Sequence, residues 1–242
     1  MPSGSLMMGA LEGDKQASGR EKPRHSVTLS RGMSVCAYAC TQALYEKVMG
    51  TNPSDFEGSA RPVENVSWCD AVLFCNRLSA LEGLEPCYEL PEPFRNGAGW
   101  SQKVIWNRSA NGYRLPTDAE WEYCARGGEY HLYSGSDDID EVAWYNHRNS
   151  HDETHGVGQK KANGYGLYDM SGNVWEWVWD SGYREYGSSV TEPMYVDASS
   201  PLRVYRGGSW NGNARYARVS YRSRDDASYR GINQGFRFLR TP

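Results

Sequence analysis

Between Asn211 and Asn233 the chain has no Lys, Glu, Gln, Met or Trp. Those five types fill about a fifth of the whole sequence, so a gap this long arises by chance with a probability on the order of a percent. Other absences bound the function. No apolar run approaches the ~20 residues of a membrane span. The start, Met1-Pro2-Ser3-Gly4-Ser5-Leu6-Met7-Met8-Gly9, lacks the basic and apolar regions of a signal peptide. There is no excess of positive charge to attract nucleic acid or an anionic membrane, since the net charge is -4 and the pI about 5.8. The six cysteines, Cys36, Cys40, Cys69, Cys75, Cys87 and Cys124, form no C-x-x-C pair and have no His cluster beside them, which sets zinc patterns aside. In their apolar and helical contexts they read as small buried hydrophobes. Neither G-x-G-x-x-G nor a G-K-[ST] ending is present, so there is no phosphate loop.

Long Leu, Ile and Val runs are also scarce, whereas there are 26 Gly, 17 Tyr and 9 Trp. That balance predicts a loop-rich fold whose core is filled by large rings and hydrogen-bonded turns. The terminal stretch from Arg206 to Arg240 is bracketed by Arg206-Gly207-Gly208-Ser209-Trp210 and Gly235-Phe236-Arg237. Its interior of Asn, Gly, Tyr, Ser, Asp and Arg is the composition of a binding surface. Tyr gives rigid contact area for few frozen torsions, Arg gives planar hydrogen bonding, and Ser, Gly and Asn adapt. The same composition also suits an ordinary polar loop closing a small domain.

Strands are expected at Ser5 to Gly9, at His25 to Leu29, where the pattern alternates, at Ser34 to Cys40, at Lys103 to Asn107 and at Arg203 to Arg206. Thr41 is placed to cap a helix from Gln42 to Met49 that stops at Gly50. Ser67 and Asp70 open a second helix whose apolar stripe, Trp68, Ala71, Val72, Cys75, Leu78 and Leu81, runs to Gly83. Thr117 and Glu120 form a capping box for a third, reaching about Arg126 and stopping at Gly127-Gly128. Glu120 and Glu122 invite a reading as paired catalytic carboxylates, but the first is committed to the cap and the second lies off that face. His147, His151 and His155 recur at intervals of four, a metal spacing on a helix, within a stretch from Tyr130 to Lys160 whose Asn, Ser and Gly content predicts loop. The stretch from Asp180 to Ser200 reads as loop, and no internal repeat is evident.

Three blocks, GYRLPTDAEWEYCARGG, GLYDMSGNVWEW and RVYRGGSW…GFRFLR, together with GSLMMG and TQALYEKVMGTNPS, resemble the formylglycine-generating-enzyme (sulfatase-modifying factor) domain over nearly the whole chain. The resemblance implies an α+β fold, the formylglycine-generating-enzyme-like variant of the C-type lectin fold, with a twisted antiparallel sheet and two main helices in a single domain spanning residues 1–242. In the oxidase branch of that family, two cysteines beyond the GGS word hold copper. Here the matching stretch reads Trp210-Asn211-Gly212-Asn213-Ala214-Arg215-Tyr216-Ala217, and no thiol follows Cys124. The family's calcium positions partly overlap Asn173 and Glu176, which could hold an ion or could hydrogen-bond the turn around Trp175.

The ending is similar to that of the variable proteins of diversity-generating retroelements, of the spirochaete type. In these, adenine-directed mutagenesis lets an Asn codon reach every residue except Lys, Glu, Gln, Met and Trp, the five types missing here. The resemblance implies a non-catalytic ligand-binding display protein whose diversified, exposed set is Gly212, Asn213, Arg215, Tyr216, Tyr221, Ser223, Arg224, Asp225, Asp226, Ser228, Tyr229, Gly231, Ile232 and Asn233, within a variable segment at about 206–240. Ala214, Ala217, Arg218, Val219, Arg222 and Arg230 would form the scaffold, with Trp210, Phe236 and the rings around Trp175 fixing the frame. Asn211, Ser220 and Ala227 stay unassigned. The implied partner is a protein or cell-surface ligand, with no cofactor, no catalytic or metal residues and no nucleic acid. The expected form is a monomer at the cell surface, held by a lipoprotein anchor outside this chain. The alternative is a formylglycine-generating-type oxidase acting on a peptide cysteine.

Overall fold

Residues 1–146, 152–182, 187 and 189–242 are described by the computed structural model. The strands in chain order are β1 (Gly4–Met8), β2 (His25–Leu29), β3 (Ser34–Val35), β4 (Tyr88–Glu89), β5 (Ile105–Trp106), β6 (Tyr113–Arg114), β7 (Trp175–Trp177), β8 (Val190–Thr191), β9 (Leu202–Arg206), β10 (Arg222–Asp226), β11 (Gln234–Phe236) and β12 (Leu239–Arg240). The helices are α1 (Gln42–Met49), α2 (Trp68–Leu81), α3 (Ala98–Ser101), α4 (Asp118–Arg126) and α5 (Ile139–Val142). The caps read from sequence set the helix ends. Thr41, Ser67 and Thr117 each accept a backbone N–H three residues on, and Asp70 and Glu120 return the bond as capping boxes. Gly50 and Gly127 close α1 and α4 in the left-handed conformation.

The central sheet has the order β10-β9-β7-β11. Its outer pairs differ: β10 runs antiparallel to β9, as β9 does to β7, but β11 lies parallel to β7. The expected antiparallel sheet is therefore mixed, because the chain returns from the β10 turn on the same side that β7 enters. Three smaller sheets, β1-β2-β8, β3-β12-β6 and β4-β5, surround it. The strand expected from Ser34 to Cys40 stops at Val35, although Cys36 and Cys40 still donate their N–H groups to Phe238 and Phe236. β8 and α5 fall in stretches read as loop.

Side-chain alternation on the sheet divides the interior in two. Tyr205, Trp177 and Phe236 point toward α2 and join Trp68, Phe74 and Trp179 in one core. Val204 and Arg206 point the other way, toward α4, where Trp121, Met170 and Val219 form the second. Trp68, Trp177 and Phe236 are fully buried, each worth about 2–3 kcal/mol of apolar burial. Their rings meet edge-on or tilted, as for Phe74 and Phe236 at 5.1 Å.

Candidate ligand-binding surface

The terminal segment leaves the central sheet through two glycines that no other residue could replace cheaply. Gly207 and Gly208 have φ of 94° and 76°, and a Cβ on Gly208 would lie 2.9 Å from the backbone of Ala217. The turn thus lets residues 214–216, a short 3-10 helix, settle against it. Trp210 then closes the far side. It is 6% exposed, its backbone N–H donates to Asn173, its indole N–H donates to the Ile232 carbonyl at 3.2 Å, and its ring meets Phe56 edge-on at 5.3 Å.

Arginines paired to carboxylates fix the backbone between these points. Arg206 is fully buried. Its guanidinium pairs with Asp118 and Glu122 and donates to the carbonyls of Val219 and Tyr221, each at 2.9 Å. Arg222 shares Asp118. Arg218 forks onto Asp14 and Glu21 and donates to the carbonyls of Arg215 and Gln16. Arg230 grips Asp70 on α2 with two bonds of 2.8 and 2.9 Å. Arg237 pairs with Glu176. Burial opposes ionisation of Glu122, but Arg126 and Arg206 outweigh it and hold the carboxyl at about 2. In Glu21 the hydrogen bond from Arg218 likewise overcomes burial and lowers the carboxyl.

The set expected to be exposed lies between these anchors. Asn213, Arg215, Arg224 and Tyr229 are exposed, and Gly212, Tyr216, Tyr221, Ser223, Asp225, Asp226, Ser228, Gly231, Ile232 and Asn233 are half-buried. Of the expected scaffold, Ala217, Arg218, Val219 and Arg222 are buried, whereas Ala214 is half-buried and Arg230 is exposed although it is paired. Ser220 and Ala227 are buried and Asn211 is exposed. Ser220 Oγ donates to Glu21, and Ala227 packs in the α2 core while bonding Pro201 and Cys69.

Sequence reasoning put Trp175 in the frame, but it is only half-buried. Its ring lies 4.9 Å from Tyr205, 6.2 Å from Tyr216 and 6.0 Å from Tyr221, and the last two meet at 5.0 Å. Trp175 and Tyr205 therefore extend the surface beyond residues 206–240 as an aromatic ledge. The signal in the sequence was period two: Trp175 shares a face with buried Trp177, but at the end of the strand, where cover runs out. His155 lies in a loop with its ring stacked 3.7 Å from Trp144, while His147 and His151 lie outside the described residues.

The metals implied by the family resemblance can be tested against the donors present. The stretch that matches the copper cysteines offers no soft ligand. Burial pushes the thiol of Cys69 up to about 11, that of Cys124 up to about 12, and those of Cys40 and Cys75 well up, which disfavours thiolate chemistry there. At the calcium positions, Asn173 accepts the His155 N–H and donates to its carbonyl, and both Glu176 oxygens are taken by Arg237 and the Trp121 indole. These donors serve the fold. Among the described residues no group of three or more His, Cys, Asp or Glu is placed to hold a metal.

Among solved structures the chain is similar to Treponema denticola variable protein 1, at 35% identity and a TM-score of 0.91, covering 100% of this chain and 94% of that one. It is 40% identical over 244 residues to the protein named Chaperone protein LppX of Paenibacillus barcinonensis, covering 89% of this chain and 82% of that protein. It is 34% identical over 156 residues to the Formylglycine-generating enzyme of Streptomyces coelicolor, of whose length only 49% is covered. The fold is the α+β, loop-rich, formylglycine-generating-enzyme-like form of the C-type lectin fold. The model described as the Sulfatase-modifying factor enzyme 1-like domain matches residues 1–242, and the chain belongs to that family.

Proposed function

We propose that the chain is a non-catalytic display protein whose segment at about 206–240 is diversified by a retroelement and binds a protein or cell-surface ligand. The observation that carries this reading is the interleaving within one segment. Asn213, Arg215, Arg224 and Tyr229 are exposed and the other ten of the expected set are half-buried, while Ala217, Arg218, Val219, Ser220, Arg222 and Ala227 between them are buried, with Arg218, Ser220 and Arg222 held on carboxylates. Such a frame tolerates exchange of the outward set at a cost within about 0.5 kcal/mol per site. Affinity would rest on a few Tyr and Arg anchors, with the rest supplying complementarity. Similarity over the full length to a protein named a variable protein supports the same reading.

Replacing Tyr216, Tyr221 and Tyr229 together by Ala should leave the melting temperature nearly unchanged and abolish capture of a ligand selected on the intact protein; collapse of the fold would make these rings core. Flanking DNA provides an independent test, since a near-copy of the last coding stretch beside a reverse-transcriptase gene is expected. Display implies a position at the cell surface, testable by protease shaving of intact cells.

The likeness to a protein named a chaperone favours a second reading, in which the same face holds a folding polypeptide. A refolding assay separates the two, because a chaperone raises the yield of its client whereas a display receptor does not. An oxidase would instead consume oxygen with a cysteine peptide.

A further inference from the structure

The chain between β4 and β5 packs Trp100 and Val104 into the α2 core and passes beside the terminal segment. Its base is Trp100 on α3, 5% exposed, whose indole N–H donates to the Pro91 carbonyl at 2.6 Å and whose ring meets Phe94 edge-on at 5.0 Å. Asn96 ties this stretch to the surface described above, donating from Nδ2 to the Ser228 carbonyl at 3.0 Å. Between these points opens a cleft of about 540 Å³ whose lining includes Pro91, Glu92, Pro93, Arg95, Trp100 and Lys103. That volume lies within the range of pockets that take a ligand.

We propose that this cleft is a second binding site, outside the segment from Asn211 to Asn233, for an acidic peptide segment of a partner. Each wall supplies one part of that specification. Pro91 and Pro93 offer apolar faces to a ring or branched side chain, above the base that buried Trp100 closes. Asn96 holds its wall in place through the bond from Nδ2 to the Ser228 carbonyl. Arg95 and Lys103 are exposed and outnumber Glu92, giving a locally positive rim on a chain of net charge -4, complementary to carboxylates. Phe94, 37% exposed and edge-on to Trp100, adds apolar area beside it. The inference goes beyond the display reading, because no lining residue belongs to the stretch from Asn211 to Asn233.

The test is a nuclear magnetic resonance titration of the intact protein with Ac-Phe-Glu-Glu-NH2, Ac-Phe-Lys-Lys-NH2 and acetate. The acidic peptide should shift the Trp100 indole and the amides of residues 95–103 saturably, and the other two should not. Arg95→Glu with Lys103→Glu should weaken it at least about tenfold. Gly99→Leu, at a position where a side chain meets nothing within 4 Å, should block the cleft with the melting temperature unchanged. No saturable shift, equal response to the lysine peptide or to acetate, or unchanged affinity in both variants would overturn the proposal. A Tyr216→Ala, Tyr221→Ala protein should bind the acidic peptide normally, so failure here and failure of the display reading are told apart.

Discussion

Arg218 and Arg224 lie on the same terminal segment, yet Arg218 is 1% exposed with its guanidinium on Asp14 and Glu21, whereas Arg224 is exposed on β10. Residue type does not separate them. What does is burial: Arg218 closes, inside the protein, bonds that the backbone depends on. Arg218 also holds the carbonyls of Arg215 and Gln16, so its removal would strand several buried groups at once. One segment thus holds both buried, carboxylate-paired arginines and exposed ones, and the proposed function requires that the two can be altered separately.

The largest expected difference comes from arginine substitutions. Arg206→Met should cost about 3–5 kcal/mol in urea unfolding, since it leaves Asp118, Glu122 and two carbonyls short of a donor inside the protein. Arg224→Met should stay within about 0.5 kcal/mol. Equal costs would erase the distinction. Next comes Gly208→Ala, which forces a side chain into a backbone of φ 76° against Ala217; a loss of about 1–3 kcal/mol is expected by thermal melting.

Two buried glutamates extend the comparison to pH. Glu122, held at about 2, contributes stability that is present above its unfolded value near ~4.3 and is lost as pH falls toward 2. Glu64 behaves oppositely. Burial pushes it up to about 7, it accepts the Phe56 N–H with one oxygen, and its other oxygen is buried without a partner. The native state therefore keeps a proton that the unfolded chain has lost, and stability falls as pH rises from about 4 to 7. Glu64→Gln should raise the melting temperature at pH 8 and change it little at pH 4; the reverse order would mean that the carboxylate is paired. The smallest effect is expected for Tyr216→Ala and Tyr221→Ala, which should each alter the melting temperature only slightly while thinning the ledge on Trp175.

Local signals were legible where a single turn of chain decides the outcome. Thr41, Ser67 and Thr117 announced their helices because a cap and its partner lie three residues apart. β8 was not legible, since two residues in parallel pairing with β2 leave no period to detect. Nor were the partners of Arg206 and Arg218, because Asp118, Glu122, Asp14 and Glu21 are distant in sequence and only the fold brings them in. The compositional gap between Asn211 and Asn233 marked the segment, but Trp175 and Tyr205 escaped it, because they lie outside the gap. Arg230 shows that a scaffold arginine can remain exposed while still holding Asp70.

A saturation library across residues 211–233, sorted by protease resistance on a display host, would measure the stability cost of every substitution in the segment. The expected result is two populations. Ala217, Arg218, Val219, Arg222 and Ala227 should be intolerant, with losses above about 2 kcal/mol, while the outward set should accept most residues within about 0.5 kcal/mol. A single continuous distribution, or intolerance centred on Tyr216, Tyr221 and Tyr229, would contradict the separation of scaffold from surface.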